Sequence, residues 1–427
     1  MALTLLSLTF MGFLVIGVPV AFAIGLASIS AIVYEDLPIA VAFQQMTSGM
    51  NAFSFLAIPF FIFTGELMLY GGIADRIVTF AKSTVGHVRG GLGMSNVLAC
   101  TLFGGVSGSP VADVSAMGSV MIPMMKREGY HADYAVNVTT HAALVGALMP
   151  TSHNIIIYTL ATGGKVSIAA LIAACVVPAV ILTLCNLAAA YLVARKRGYP
   201  AGTFPGWAIV LRSLVAATPG LFVIVLIIAG ILSGVFTATE SAAIAVLYSL
   251  ALTALVYRSL NWDQFIRAAA KAVKTTGIVL LLIGISATFG YLIGFYSVAE
   301  KTGELMSAIS NEPWAIFLMV NIALFLLGTF LDMAATILIC TPIFLPICMQ
   351  YGMSPVQFGV VILINCALGL NTPPVGTVQF VGCAIGKVSV GTVMRTIWPF
   401  YGALIAALGL VTYVPTFSLW LPELLLK

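Results

Sequence analysis

Eleven apolar stretches run through this chain, at about 3–33, 52–72, 91–126, 134–163, 167–194, 214–233, 235–257, 276–298, 314–350, 355–386 and 389–421. Each is close to or above the roughly 20 residues a helix needs to cross a bilayer. In lipid every backbone polar group must be bonded within the protein, so spans of this kind are helices. The fold class is therefore an all-α polytopic membrane protein. Composition agrees, with 61% hydrophobic and 7% charged residues against about 25% charged in a soluble domain. The same figures exclude disorder, and a dispersed net charge of +4 excludes a nucleic-acid partner. The first stretch lacks a basic start and a clear cleavage site, so it reads as one first membrane helix rather than a signal peptide. The seven cysteines lie in apolar stretches without CxxC spacing, which points to packing rather than to disulfides or zinc.

Two stretches, 91–126 and 314–350, are too long for one helix and too short for two spans with a loop. Each is interrupted near its middle by Gly, Ser, Thr or Pro, and each reads as a re-entrant helical hairpin. The other nine stretches read as full spans. With the N-terminus cytoplasmic, this arrangement leaves only Lys165, Lys301 and Lys427 outside among 18 basic residues, a strong positive-inside asymmetry. It opens the first hairpin to the cytoplasm and the second to the periplasm, and it puts the C-terminus outside. The amphipathic segments 37–51 and 261–274 are expected to lie flat at the interface.

The halves of the chain repeat in order. Gly164-Lys165-Val166-Ser167 recurs as Gly386-Lys387-Val388-Ser389. Asp113 precedes Pro123 as Asp332 precedes Pro342, and Pro178 matches Pro399. The division is 1–200 for the first repeat, 201–234 for a connecting loop and extra span, and 235–427 for the second repeat. By the topology above, Lys165 is outside and Lys387 inside, so the repeats are inverted. Inverted repeats with discontinuous helices are a transporter architecture, with the site at the repeat interface.

Non-helical backbone at membrane depth is tolerated only where it is buried in protein or lines a cavity, so the breaks mark the site. The first hairpin tip is Gly104-Gly105-Val106-Ser107-Gly108-Ser109-Pro110, with Ser109 expected as N-cap and Pro110 at the first helical position. Asp113 follows in the first turn. The second tip lies near Gly328–Asp332, where Thr329 and Asp332 are spaced like a capping box. The spans after the hairpins break at Met149-Pro150-Thr151-Ser152-His153-Asn154 and at Asn371-Thr372-Pro373-Pro374-Val375-Gly376. Thr372 is expected to cap a helix that starts at Pro373.

Unwound carbonyls and hydroxyls at these junctions are hard ligands suited to Na⁺. Free N–H groups at helix starts suit an anion, and substrate contacts are expected from Ser109, Ser152 and Thr372. Asp113 and Asp332, costly in lipid, are expected to balance a bound cation. Glu66 and Glu240 read as scaffold or interface hydrogen-bonding groups, and His141 and His153 as satisfied polar histidines. With no arginine expected at membrane depth, an anion would rely on helix N-termini and hydroxyls.

The run Phe-Gly-Gly-Val-Ser-Gly-Ser-Pro-Val-Ala-Asp at 103–113, Ala-Ile-Pro-Phe-Phe at 57–61 and Asn-Thr-Pro-Pro-Val-Gly at 371–376 resemble the large membrane subunit of tripartite ATP-independent periplasmic (TRAP) transporters over nearly the whole chain. The resemblance implies an elevator-type, Na⁺-coupled carrier in the bacterial inner membrane. It would import an organic acid of the sialic-acid or C4-dicarboxylate type, handed over by a periplasmic binding protein. The overall wording looks closest to the sialic-acid branch. A small four-helix membrane subunit is implied as scaffold partner and is expected as a separate polypeptide. By the same resemblance one Na⁺ site would use Ser107, Gly108, Ser109, Asp113, Pro150 and Thr151. The other would use Thr329, Asp332, Asn371, Thr372, Pro373 and Gly376.

Two alternatives belong to other classes. One is a stand-alone Na⁺/anion symporter. The other is an intramembrane serine protease, because Gly105-Val106-Ser107-Gly108 fits a Gly-x-Ser-Gly pattern and His141 or His153 could serve as base.

Overall fold

The computed structural model describes residues 1–426. The chain opens on two helices, α1 (Ala2–Ile16) and α2 (Val20–Tyr34), which pack side by side. This corrects the expectation of one first membrane helix over 3–33. Gly17 is left-handed, its N–H bonds the carbonyl of Leu14, and the N–H of Val18 bonds that of Phe13. That is a Schellman stop, and Pro19 follows because it cannot continue the helix. Each arm has 15 residues, about 22 Å of helix, short of the roughly 30 Å hydrocarbon core. The cytoplasmic side assigned to the N-terminus rested on a single crossing here, and the turn removes that support.

α3 (Ala40–Met50), α4 (Ala57–Tyr70) and the amphipathic α5 (Ile73–Val85) follow. α6 (Gly91–Ser107) and α7 (Pro110–Arg127) form the first helix–break–helix unit and pack against α8 (Ala132–Ala143). Every residue from Tyr134 to Ala143 is buried. A stretch buried on every face, its polar Asn137, Thr139, Thr140 and His141 included, makes α8 a central element. After a 3₁₀ turn over Leu144–Leu148 the chain breaks and resumes as α9 (His153–Ala161), bent by 50°. α10 (Ile168–Lys196), α11 (Trp207–Leu232) and α12 (Ala238–Ala251) are long and apolar, α12 with its π-helical extension to Val256.

α13 (Trp262–Phe295) is one continuous helix of 34 residues, about 51 Å long. This corrects the reading of 261–274 as a separate flat helix. Asn261 caps it with Gln264 in a capping box; its first half meets α4 through Phe265 and Lys271, and its second half meets α3 through Gly284, Ala287 and Thr288. α14 (Val298–Ile309) leads to the second helix–break–helix unit, α15 (Pro313–Phe330) and α16 (Met333–Gln350). α17 (Pro355–Gly369) mirrors α8: all residues from Gln357 to Gly369 are buried. α18 (Thr377–Gly386), α19 (Val390–Met394), α20 (Trp398–Tyr413) and α21 (Thr416–Leu425) complete the chain.

Seven helices among the described residues are long and apolar enough to cross a membrane, or nine if each of two bent pairs counts as one span. Large apolar side chains such as Val215, Leu255 and Leu305 face outward, which suits a lipid-facing wall.

Candidate functional site

The two all-buried helices, α8 and α17, each end at a break. Around the first break the chain builds a cradle. α6 stops at Gly108, whose φ of 63° is left-handed. A Cβ there would stand 2.5 Å from the backbone carbon and oxygen of Thr151, so only glycine lets the tip meet the break. The Thr151 hydroxyl donates to the carbonyl of Gly105 at 3.2 Å, linking the two segments.

Asp113 projects into this cradle and is fully buried. The Ser107 hydroxyl donates to its Oδ1, while Oδ2 has no hydrogen-bond partner. Two glycines make room for that free oxygen. A Cβ on Gly146 would lie 2.4 Å from it and one on Gly104 2.8 Å from it. No Lys or Arg forms an ion pair with Asp113 among the described residues. Ser109 occupies the N-cap position of α7 without a side-chain cap bond, contrary to expectation, and instead its N–H donates to the Ser107 oxygen at 3.3 Å. Pro150 and Ser152 are buried beside Thr151. The structure thus brings Ser107, Gly108, Asp113 and Thr151 together, with Ser109 at the rim.

The second break is built differently. Asp332 is exposed and is itself the N-cap of α16, its Oδ2 accepting the Ala334 N–H at 3.2 Å. Thr329 takes no part in a capping box: its hydroxyl donates to the Leu326 carbonyl at 2.7 Å. Gly328 and Gly369 touch, a Cβ on Gly369 lying 2.4 Å from the Gly328 oxygen. The helix after the break starts at Thr377 with Gly376 at the N-cap, not at Pro373. Thr372 is no cap, because its hydroxyl bonds the Leu368 carbonyl at 3.0 Å and the Tyr401 hydroxyl at 2.9 Å. The Tyr401 hydroxyl donates to the Asn371 carbonyl at 2.8 Å. The Asn371 side chain is buried with both amide atoms unpartnered.

Tyr401, on α20, was not singled out from the sequence. Its only signal there was an aromatic with a polar tip in an apolar span. Tyr401→Phe is expected to lower stability by about 1–3 kcal/mol, because the buried Asn371 carbonyl loses its partner and the part-buried Thr372 hydroxyl loses one of two. Thermal unfolding of the detergent-solubilised protein checks this.

A cleft of about 300 Å³ opens on the first break, lined among others by Ser107, Ser109, Thr151 and His153. Its far wall carries Glu66 of α4 and Lys271 of α13, joined by an ion pair at 2.8 Å. Lys271 was expected in a flat interfacial helix, and the continuity of α13 brings it here. Glu240 has a local role, closing a capping box with Thr237 at the start of α12.

The protease constellation does not form. The Ser107 hydroxyl donates its hydrogen bond to Asp113 rather than to His141 or His153, and His141 bonds the Asn137 carbonyl through Nδ1 at 2.8 Å. No group of three or more His, Cys, Asp or Glu side chains converges among the described residues.

An all-helical chain with bilayer-length apolar helices, one of whose breaks encloses a buried carboxylate, has the make-up of a membrane transport protein. Comparison with known proteins narrows this. The profile of the tripartite ATP-independent periplasmic transporter DctM component matches residues 7–417. The sialic acid TRAP transporter large permease SiaM of Vibrio cholerae is 35% identical, over 97% of each chain. The C4-dicarboxylate large permease DctM of Rhodobacter capsulatus is 33% identical over 96% of each. An uncharacterized protein, YgiK, of Salmonella typhimurium is 41% identical over 96% of this chain and 95% of its own. The YdaH transporter of Alcanivorax borkumensis shares the fold, with a TM-score of 0.63 over 89% of both chains at 13% identity.

The chain belongs to the DctM family, the large permease subunits of TRAP transporters. It is a multi-pass membrane transport subunit and not an enzyme.

Proposed function

We propose that this chain is the transport subunit of a Na⁺-coupled importer of an organic acid, of the sialic-acid or C4-dicarboxylate kind. The carboxylate of Asp113 carries the reading: fully buried, with one oxygen unpartnered and packed closely against two glycines. A buried charge is stable only when compensated, and with hydroxyl and carbonyl oxygens around it a small hard cation fits the donor set. Relatives are named for sialic acid, C4-dicarboxylates and isethionate, all organic anions, so a co-transported cation also offsets the charge of the cargo.

The second ion position in this reading is the neighbourhood of Asn371, whose two free amide atoms are its strongest feature. Ser109, Ser152 and Thr372 are the substrate-facing hydroxyls. The repeat, though not its inversion, gains support from the Gly-Lys-Val-Ser motifs, since Ser167 caps α10 and Ser389 caps α19 through the same side-chain bond. In this reading α6–α7 and α15–α16 are the re-entrant hairpins of an elevator that carries the site across the inner membrane. A small four-helix subunit holds the scaffold, and a periplasmic protein delivers the acid.

The experiment is uptake into liposomes containing the chain with its small subunit and binding protein. Transport should require a Na⁺ gradient and be indifferent to ATP, consistent with the lack of a Gly-x-x-x-x-Gly-Lys-Ser/Thr loop. Uptake at full rate from Na⁺-free medium under a pH gradient alone would overturn the coupling.

A further inference from the structure

We propose that Lys271 is a substrate-binding residue of the first-break cleft, with Glu66 as the group that positions it. The inference rests on the organic-acid reading above.

The two residues come from separate helices that pack together, α4 and α13, with Phe63 and Phe265 in edge-to-face contact at 5.8 Å between them. Gly65 brings α4 against the hairpin tip: a Cβ there would lie 3.3 Å from the Cα and carbonyl oxygen of Ser107. The pair therefore stands directly across the cleft from the tip that holds Asp113. Glu66 is buried, whereas the Lys271 side chain is 48% exposed, and both line the cleft.

An ammonium has three donors and no acceptor. One N–H of Lys271 is taken by Glu66 Oε1 at 2.8 Å, which leaves two for a ligand in the cleft. The chemistry they recognise is a carboxylate or similar oxyanion, by charge-assisted hydrogen bonds. Glu66 has a second effect. It neutralises the pair, so the anion meets two aligned donors rather than a full unpaired charge, and release is not opposed by a strong Coulomb trap. Thr275, one turn beyond Lys271, lines the same cleft and adds a hydroxyl.

A purely structural ion pair would also explain why Glu66 is buried beside a lysine. Removing Lys271 alone would then do harm by stranding a buried carboxylate. The discriminating variant removes both charges at once, Lys271→Met with Glu66→Gln. The chain is purified with its small subunit. Its thermal unfolding midpoint is followed at fixed Na⁺ against rising acetate, succinate and N-acetylneuraminate, and against rising Na⁺ alone.

The half-saturating concentration of the stabilising carboxylate should rise about tenfold in the double variant, a change of about 1.4 kcal/mol. Half-saturation by Na⁺ should stay unchanged. Glu66→Gln alone should lower the carboxylate value, because Lys271 is then a full charge. Equal carboxylate responses in wild type and double variant, or loss of the Na⁺ response in the double variant, would overturn the role of Lys271 alone. A wild-type protein stabilised by none of the three acids would overturn the organic-acid reading and this inference with it. Should the double variant not fold, Glu66→Gln decides: an unchanged or higher half-saturating concentration overturns the proposal.

Discussion

Asp113→Asn should raise the Na⁺ concentration for half-maximal uptake by more than tenfold while the protein folds normally. The amide has nearly the size of the carboxylate and can still accept the hydrogen bond of Ser107. What it lacks is the charge. At a few ångström and an effective dielectric of about 20, a unit charge pair is worth about 4 kcal/mol, so losing more than about 1.4 kcal/mol of that gives the tenfold change. Stability distinguishes this from a defect in folding. Without Na⁺ the variant should unfold no earlier than wild type, because a buried uncompensated charge has been removed. At Na⁺ concentrations near the wild-type half-saturation, the stabilisation that Na⁺ confers on wild type should be largely lost, since ligand stabilisation grows as the logarithm of one plus concentration over Kd. Asp332→Asn is the internal comparison. Asp332 is an exposed helix cap, and Asn caps as well as Asp, so its Na⁺ response should be close to wild type. A normal Na⁺ response in Asp113→Asn would remove this carboxylate from the ion site.

Gly108→Ala should abolish transport and destabilise the fold by about 2–5 kcal/mol. The left-handed backbone at φ 63° costs a residue with a Cβ about 1–2 kcal/mol. The added carbon would also lie 2.5 Å from the backbone of Thr151, and overpacking of that kind costs about 1–3 kcal/mol. Backbone cannot rotate away as a side-chain tip can, so the tip and the break must part. Gly129→Ala separates the two contributions. Gly129 has φ 84° and open space around its Cβ position, so it should show the conformational cost alone and retain transport. Thermal unfolding and uptake on the two variants measure the difference. Equal effects would mean that the contact between tip and break does not matter.

Much of this architecture is local and was readable from the chain. Apolar stretches of bilayer length, interrupted by Gly, Ser, Thr and Pro, dictate helices and their breaks, because a helix end needs nothing beyond nearby residues. The break after Ser107 and those near Pro150 and Asn371 stand where that logic puts them. The turn at Gly17-Val18-Pro19 was equally legible, as glycine at a left-handed stop followed by proline, but apolar flanks on both sides made the run read as one helix. Helix starts were less secure. Thr372-Pro373 has the composition of a helix start, yet the chain begins its next helix at Thr377, and the Thr372 hydroxyl is held by the Leu368 carbonyl and by Tyr401 of another element.

Repeat symmetry made Asp113 and Asp332 look like equals, since each sits at a break within an apolar stretch. Burial separates them, and burial is a property of neighbours far away in the chain. Gly104 and Gly146 seal Asp113 in, whereas nothing comparable covers Asp332. The same holds for Lys271. A lysine in an amphipathic segment reads as interfacial, because hydrophobic patterning reports which face of a helix is polar and not what that face meets. Only the packing of α13 on α4, which sets Lys271 opposite Glu66 and both opposite the Ser107 tip, turns a surface charge into a wall of the cleft. Sequence alone thus determined where helices form and stop, since backbone hydrogen bonding and side-chain propensity act over a few residues. Tertiary structure alone decided which polar groups are desolvated together, since that depends on contacts between residues separated by dozens or hundreds of positions.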